Sequence, residues 1–287
     1  MKAKRYTAVL LVLLMLISMV SICSAEVLMP ERGSRVKKSG SLTVDYSNCS
    51  EGYVIVRAKP SKSRLKVRFE CGGKDIHYDL NGEGEYEVFP LSFGNGTYTI
   101  GLFRQVSHSD YEKTGSVRLK VSMPDPYRAF LYPNQWINYT PETPAVVHAQ
   151  ELCEGITDPD EKALKIYCDY VFDMEKSTIV LNPDKTINEY KSDVEFKLKP
   201  QDMTGKNLPE IDKTFETGSG VCKDHAAVLT AMLRSVGIPA MLAVMDQGPP
   251  PSHAYVIAIV NGTEVQIDPS APYYTKEKLM SPRDRIY

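Results

Sequence analysis

Apolar and polar residues alternate in short runs between Leu42 and Met123, with a new run about every ten residues. An alternation of period two places successive side chains on opposite faces of a strand. Short strands at such intervals are typical of an all-β domain, and we expect an immunoglobulin-like sandwich here. The predicted strands are Leu42–Tyr46, Tyr53–Lys59, Leu65–Glu70, Asp75–Leu80, Glu85–Phe89, Thr97–Val106 and Val117–Met123.

Pairs of turn-forming residues separate these runs. Gly72-Gly73, Asn81-Gly82 and Asn95-Gly96 favour the positive φ angles of two-residue hairpins. His77 and His108 are isolated in this part of the sequence, without a clustered nucleophile, base or set of metal ligands. We therefore expect the predicted sandwich to serve in binding or as a spacer rather than in catalysis.

A stretch rich in proline and aromatic residues runs from Pro124 to Pro144 and contains the only tryptophan, Trp136. Because proline fixes φ and aromatic rings need a surface to pack on, we predict an ordered linker. The predicted organisation is a signal segment at 1–25, the sandwich domain at 26–123, the linker at 124–144 and a second domain at 145–287.

The hydrophobic period changes in the second domain. Asp158 is a predicted N-cap and Pro159 takes the first helical position, so a helix begins here. Periodicity is weak in residues 175–218, where we expect loop, one short strand and one helical turn. The predicted buried face of the helix comprises Leu164, Tyr167, Tyr170, Val171 and Met174.

A further helix is predicted from Val221 to Arg234, between Gly218-Ser219-Gly220 and the stop signals Gly237 and Pro239. Cys222 lies in its first turn, where unpaired backbone N–H groups and the helix dipole favour a thiolate. The same N–H groups could donate to an oxyanion. The predicted packing face of this helix is Ala226, Leu229 and Leu233.

A hairpin is predicted around Asn261-Gly262, after a stiff proline loop at 247–251. With a two-residue turn, Tyr255 faces Asp268 across the strands. His253 lies two residues from Tyr255, so its side chain shares a face with Asp268 on a diagonal of about 7–8 Å between backbones. The spacing alone therefore brings a histidine and a carboxylate together.

Cys222, His253 and Asp268 form a trio suited to acyl transfer. A thiolate attacks a carboxamide carbonyl, an imidazolium donates a proton to the departing nitrogen, and a carboxylate holds the imidazole in one tautomer. We predict Cys222 as nucleophile, His253 as general acid and base, and Asp268 as the orienting group.

The motifs around these residues resemble the core of transglutaminase-like proteins, within the papain-like cysteine enzyme superfamily. The resemblance covers about residues 218–272, and implies an α+β core with the cysteine on a central helix against an antiparallel sheet bearing the histidine and aspartate. Two places depart from the family pattern: Tyr255 stands where many relatives have tryptophan, and Val265-Gln266-Ile267 stands before Asp268-Pro269, where relatives often have an aromatic residue. The motifs are Gly220-Val221-Cys222-Lys223-Asp224-His225-Ala226, Ser252-His253-Ala254-Tyr255-Val256 and Ile267-Asp268-Pro269.

Other interpretations of the same residues remain open. Cys222 could be a buried structural thiol at a helix start. His225, three residues after Cys222, could form a Cys-x-x-His metal site with it, although a structural zinc site needs four ligands and no second cysteine pair accompanies this one. Asp224 is expected to support the helix start. We expect neither a metal nor a cofactor.

The first 25 residues have the pattern of a cleaved export signal: basic residues, an apolar run and small residues at Cys23-Ser24-Ala25. A membrane anchor is the alternative, but the run is shorter than the ~20 apolar residues that a bilayer requires. Without Lys2, Lys4 and Arg5, 31 basic residues remain against 36 acidic residues, which is a net charge near −5 and an unlikely surface for nucleic acid.

Five cysteines remain after signal cleavage, so at least one thiol is free or paired between chains. Cys49 with Cys71 and Cys153 with Cys168 are possible bridges that would leave Cys222 unpaired. The odd number agrees with a nucleophile but does not require one.

The sequence therefore predicts a secreted or cell-surface cysteine enzyme, with no membrane attachment after cleavage. Its expected substrates are amides of proteins or peptides, cell-wall and surface proteins included. The acceptor for the Cys222 thioester is an amine or water. The alternative is a non-catalytic surface-binding protein in which the sandwich binds and the transglutaminase-like part is a scaffold.

Overall fold

The computed structural model describes residues 25–200, 208–245, 253–278 and 285–287. The predicted export signal, apart from its last residue, lies outside these ranges, as does the proline loop predicted before His253. In the described ranges, the helices are all too short or too polar to cross a lipid bilayer.

The first part of the chain forms two four-stranded antiparallel sheets, ordered β1-β2-β3-β6 and β5-β4-β7-β8. In β4 every second residue is buried, which is the alternation expected where one face of a sheet packs on a core. The strands are β1 (Val36–Ser39), β2 (Leu42–Asp45), β3 (Tyr53–Ala58), β4 (Leu65–Cys71), β5 (Lys74–Leu80), β6 (Glu87–Pro90), β7 (Gly96–Gln105) and β8 (Tyr111–Val121).

Two of the three predicted hairpins are wrong. Gly72-Gly73 does join β4 to β5, with φ angles of 58° and 80°. Asn81-Gly82 instead lies between β5 and β6, and Asn95-Gly96 lies where β7 begins; at both places the chain passes from one sheet to the other, so the strands on either side do not pair. β1 was missed because its side chains are mostly exposed and carry no alternation. The immunoglobulin-like character of this part stays a prediction.

The proline-rich segment contacts both the N-terminal sheets and the C-terminal part of the chain. It contains a short 3-10 helix at Arg128–Leu131. Arg128 and the Tyr132 hydroxyl both bind the Glu51 carboxylate. The Trp136 ring stacks on Tyr287 with 4.3 Å between ring centroids. One apolar core runs from the sheets into the helices, and the division into two domains stays a prediction.

The second part combines helices with a five-stranded antiparallel sheet ordered β14-β13-β12-β11-β15. A short parallel pair, β9 and β10, lies outside that sheet. The helices are α1 (Pro144–Leu152), α2 (Pro159–Val171), α3 (Ile211–Thr217) and α4 (Cys222–Ser235). The strands are β9 (Lys199–Pro200), β10 (Ser219–Gly220), β11 (Ala240–Met245), β12 (His253–Val260), β13 (Thr263–Asp268), β14 (Tyr273–Thr275) and β15 (Arg285–Ile286).

Helix α2 begins as its sequence predicts. The Asp158 side chain accepts a hydrogen bond of 3.1 Å from the Asp160 N–H, and Pro159 follows the cap. The predicted face is largely buried, but Met174 is 45% exposed. The helix ends at Val171 because Phe172 adopts an extended conformation, so Met174 was wrongly assigned to the buried face.

Helix α4 is surrounded on every side rather than packed by one face. Every residue from His225 to Ser235 is buried, against α1 and α3 on one side and β11 and β12 on the other. The predicted packing face of Ala226, Leu229 and Leu233 was therefore too narrow. The helix stops before Gly237, which has a φ of 84°.

Arg234 stabilises the C-terminal end of α4 through hydrogen bonds. It is 2% exposed, and its guanidinium donates to the backbone oxygens of Ala240 at 2.8 Å, Tyr132 at 2.6 Å and Tyr287 at 3.1 Å. Burial lowers the pKa of Arg234 to about 10. The planar fork of five N–H donors lets one side chain satisfy carbonyls from three separate segments.

Candidate active site

The first turn of α4 packs closely against the residues that precede it. Gly218, with a φ of 62°, ends α3 in the left-handed conformation. A Cβ on Gly220 would lie 2.9 Å from Cβ of Asp224, so only glycine fits there. The Asp224 carboxylate accepts from the Val221 N–H at 3.0 Å, which confirms the expected role of Asp224 at the helix start. Cys222 thus becomes the first residue of the helix.

The hairpin has the predicted register. Asn261 and Gly262 have φ angles of 50° and 75°, and Val260 pairs with Thr263. Positive φ at both turn residues matches the twist of the flanking strands. As a result, His253 Nε2 lies 2.7 Å from Asp268 Oδ2. The turn thus sets the register that places these two side chains on the same face of the hairpin.

The structure also brings Cys222 to this pair. Hydrogen bonds from the His253 side chain and from the backbone of Ala254 and Lys223 act on the Cys222 thiol. Since Nε2 of His253 is engaged by Asp268, Nδ1 is the nitrogen left for Cys222. Burial raises the pKa of Cys222, but these hydrogen bonds outweigh it and the pKa is lowered.

His253 is shifted in the opposite direction. Its hydrogen bond to Asp268, and secondly that to Cys222, raise the pKa of His253 to about 10 against the effect of burial. A lowered thiol pKa beside a raised imidazole pKa favours a thiolate–imidazolium pair at neutral pH. The His253 side chain is 29% exposed whereas that of Asp268 is 10% exposed, so solvent reaches the imidazole more readily than the carboxylate.

Ser270 is a site residue that the sequence analysis missed. Its N–H and hydroxyl donate to Asp268 Oδ1 at 2.8 Å and 2.6 Å. Burial raises the pKa of Asp268, but the bonds from His253 and Ser270 hold it below its ordinary value. An aspartate followed two residues later by serine is a pattern of Asx turns, so the sequence carried a usable signal.

Tyr255, at a position where relatives often have tryptophan, lies inside the protein. It is 0% exposed and packs in an apolar cluster with Met241, Ile257 and Ile259. Burial raises its pKa to about 12. Its hydroxyl has no hydrogen-bond partner within the described ranges. Tyr255 therefore supports the sheet and is not a candidate for contact with substrate.

The His225 side chain is hydrogen bonded to Tyr170. Its Nδ1 lies 2.9 Å from the Tyr170 hydroxyl, and burial lowers the pKa of His225. In the ranges that the structure describes, no group of three or more histidine, cysteine, aspartate or glutamate side chains is placed to hold a metal ion. The alternative metal site at Cys222 and His225 thus lacks further ligands in that part of the chain.

Cys222 differs from the other described cysteines. All five are free thiols, so neither of the two bridges allowed by the sequence is formed. Burial raises the pKa of Cys71 and Cys153, and raises that of Cys168 to about 12. In contrast to these three, the pKa of Cys222 is lowered, because hydrogen bonds outweigh its burial.

A model of the Transglutaminase-like superfamily matches residues 148–262 of the chain. This range contains Cys222 and His253 and ends before Asp268. The resemblance found in the motifs is therefore confirmed for the C-terminal part of the chain.

Two solved structures are similar at low identity. A candidate cysteine protease from Cytophaga hutchinsonii is 14% identical over 82% of this chain and 80% of that chain, with a TM-score of 0.37. A candidate protease from Parabacteroides distasonis is 16% identical over 74% of this chain but 39% of that chain, with a TM-score of 0.31. No curated protein is significantly similar to the chain.

Proposed function

We propose that this transglutaminase-like chain is an exported cysteine enzyme that forms a thioester at Cys222 with carboxamide groups of proteins or peptides. The observation that carries the proposal is geometric: Cys222 opens helix α4, and its partner His253 has Nε2 at 2.7 Å from Asp268 Oδ2. The contrast among the thiols supports it. Burial raises the pKa of Cys71, Cys153 and Cys168, whereas the pKa of Cys222 is lowered beside a histidine whose pKa is raised to about 10. Structural thiols are usually inert and catalytic thiols are thiolates, so this contrast favours catalysis.

The first step forms the thioester. The Cys222 sulfur attacks the amide carbonyl carbon, and the π electrons move to the oxygen. The backbone N–H of Cys222, at the first helical position, has no acceptor within the helix and can donate to that oxygen. When the C–N bond breaks, the His253 imidazolium gives its proton to the departing nitrogen, which leaves as ammonia or an amine.

The second step releases the acyl group. Neutral His253 takes a proton from water or from an amine, which attacks the thioester carbonyl. The C–S bond then breaks, and its electron pair returns to sulfur. The thiolate–imidazolium pair is restored with no net gain or loss of protons. Asp268 stays ionised throughout and holds the His253 Nε2–H at 2.7 Å.

The first experiment tests the nucleophile without a substrate. Alkylation of the full chain by iodoacetamide, read by mass spectrometry at each cysteine peptide, gives a reaction rate against pH for every thiol. We expect Cys222 to react well below the free-thiol value of about 8.5, and its midpoint to rise in His253→Ala. Cys71 and Cys153 are internal controls. An inert Cys222 would favour the non-catalytic binding protein.

The second experiment identifies the acceptor. Wild type and Cys222→Ala are incubated with a fluorescent primary amine and a glutamine-rich protein. Cysteine-dependent labelling would mean amine transfer, and cysteine-dependent fragments would mean proteolysis. Ammonia release without either would mean deamidation. The absence of all three, together with a reactive Cys222, would contradict the proposed substrate class while leaving the nucleophile intact.

The export part of the proposal rests on the first 25 residues. Expression with this segment in a bacterium, followed by intact-mass analysis of the exported protein, should give a chain that begins at Glu26. Retention of an uncleaved chain in the membrane fraction would favour the anchor instead.

A further inference from the structure

Helix α2 presents two tyrosines, one turn apart, whose hydroxyl groups reach different parts of the candidate site. Tyr167 and Tyr170 are three residues apart, so they lie on the same side of the helix. Tyr167 is 0% exposed and Tyr170 is 6% exposed. Neither residue contacts the Cys222 sulfur or the His253 ring in the interactions described above, so neither has a role in the proposed chemistry itself.

Tyr167 holds the turn that carries the carboxylate. Its hydroxyl lies 3.1 Å from the carbonyl oxygen of Asp268 and 2.5 Å from that of Ala271. The Tyr273 N–H donates to the same hydroxyl oxygen at 2.9 Å. One buried hydroxyl therefore contacts backbone groups at both ends of the segment 268–273, which leads from β13 to β14: it shares its single proton between the two carbonyls and accepts from the Tyr273 N–H.

Tyr170 holds the start of the helix that carries the nucleophile. Its hydroxyl lies 2.9 Å from Nδ1 of His225, and both residues are buried. His225 belongs to the first turn of α4, three residues after Cys222. Burial raises the pKa of Tyr170 and lowers that of His225, which favours the neutral form of both groups near neutral pH.

The nucleophile and the carboxylate come from elements far apart in the sequence, and α2 is hydrogen bonded to a neighbour of each: to His225 in the first turn of α4 and to the backbone carbonyl of Asp268. Near its other end, the Asp160 carboxylate accepts from the Asn261 side chain at 2.6 Å and so holds the turn of the β12–β13 hairpin. Because a helix is stiff over one or two turns, these bonds fix the hairpin and the α4 start relative to each other. An error of about 1 Å in such a separation can reduce a rate about 100-fold.

We infer that Tyr167 and Tyr170 are positioning residues, which hold Asp268 and Cys222 at the separation that the His253 bridge requires. The inference rests on the proposed function. Without the Tyr167 hydroxyl, the 268–273 turn loosens and the carboxylate drifts from His253. Without the Tyr170 hydroxyl, the first turn of α4 shifts and Cys222 leaves its hydrogen-bond donors. Either change weakens the thiolate–imidazolium pair.

The test uses Tyr167→Phe and Tyr170→Phe in the full chain, with Tyr274→Phe as the matched control. Tyr274 is also buried, at 1% exposed, and its ring lies beside that of Tyr167. Its hydroxyl, however, has no hydrogen-bond partner within the described ranges. The measurements are the pH profile of Cys222 alkylation, kcat and KM, and the Tm of each variant.

We expect the alkylation midpoint of Tyr167→Phe and of Tyr170→Phe to rise by about one pH unit. In the same variants kcat should fall about 10- to 100-fold with KM near its wild-type value. Tyr274→Phe should match the wild type in all three. If one variant fails to fold, the other carries the test, because it acts on the opposite half of the site.

A lower Tm with a wild-type alkylation profile would overturn the inference, since the two hydroxyl groups would then be structural only. That outcome differs from failure of the proposed function. The proposed function fails if wild-type Cys222 shows no thiolate reactivity below the free-thiol range, whatever the tyrosine variants do. Alkylation needs no turnover, so the two questions are answered separately.

Discussion

Replacing Asp268 by asparagine removes a negative charge that lies 2.7 Å from His253 Nε2 while it preserves the shape of the side chain. The carboxylate accepts three hydrogen bonds, one from His253 and two from Ser270. An asparagine has a single acceptor oxygen and presents an NH₂ group at the other position. If its oxygen stays with Ser270, the NH₂ group faces His253 and disfavours a proton on Nε2.

The magnitude follows from the pKa of His253, which is raised from 6.5 to about 10. The shift of about 3.5 units corresponds to about 5 kcal/mol in favour of the imidazolium. Asp268 is the largest cause and Cys222 the second. Since a neighbouring opposite charge typically shifts a pKa by about 1–3 units, Asp268→Asn should lower the His253 pKa by about 2 units. Turnover should fall about 10²- to 10⁴-fold, as expected when the imidazole loses its orienting carboxylate.

The assay is an NMR titration of the His253 ring, assigned by the loss of its signal in His253→Ala. We expect the wild-type ring to stay protonated to about pH 10 and the Asp268→Asn ring to titrate about 2 units lower. Asp173→Asn is the control, because that carboxylate pairs with Lys176 and not with a histidine. Equal titration points in wild type and Asp268→Asn would refute the reasoning.

The same pair has a consequence for stability. A folded-state pKa above the unfolded value stabilises the fold below pH 6.5, and this contribution is lost as pH rises towards about 10. The lowered pKa of Cys222 acts with the opposite sign as pH rises towards the free-thiol value, so it offsets part of this loss in the wild type. In Cys222→Ala this offset is gone. Stability should then fall with rising pH above 6.5, and less so when Asp268→Asn is added.

Three further substitutions test the surrounding structure. Arg234→Lys should destabilise the fold by at least about 2 kcal/mol in urea unfolding, because one ammonium cannot satisfy three carbonyls in fork geometry; an unchanged midpoint would contradict this. Gly220→Ala should displace the α4 start, since its Cβ would lie 2.9 Å from that of Asp224. Cys222 alkylation at pH 6 should therefore be slower than in the wild type. A wild-type rate would show that the neighbouring residues shift to accommodate the new methyl group. Tyr255→Phe should change stability by less than about 1 kcal/mol, because the lost hydroxyl has no described partner; a large loss of Tm would reveal a bond that the described ranges lack.

Local signals in the sequence account for much of the candidate site. The cap and proline at Asp158 and Pro159 place α2, and the glycines before Cys222 place the start of α4. Asn261-Gly262 sets the register that pairs His253 with Asp268. These signals succeed because capping and turn geometry depend on residues only a few positions apart. The same kind of signal failed at Asn81-Gly82 and Asn95-Gly96, where the chain crosses between sheets and a hairpin does not form.

The sequence by itself determined which residues carry the candidate chemistry and on which local elements they lie. Tertiary structure decided how those elements meet. Tyr167 reaches Asp268 across 101 positions, and Tyr170 reaches His225 across 55. The Arg234 guanidinium donates hydrogen bonds to backbone oxygens up to 102 positions away. The shifted pKa values of Cys222 and His253 exist only once these distant elements have packed, because hydrogen bonds and burial, rather than residue type, set the charge of each group.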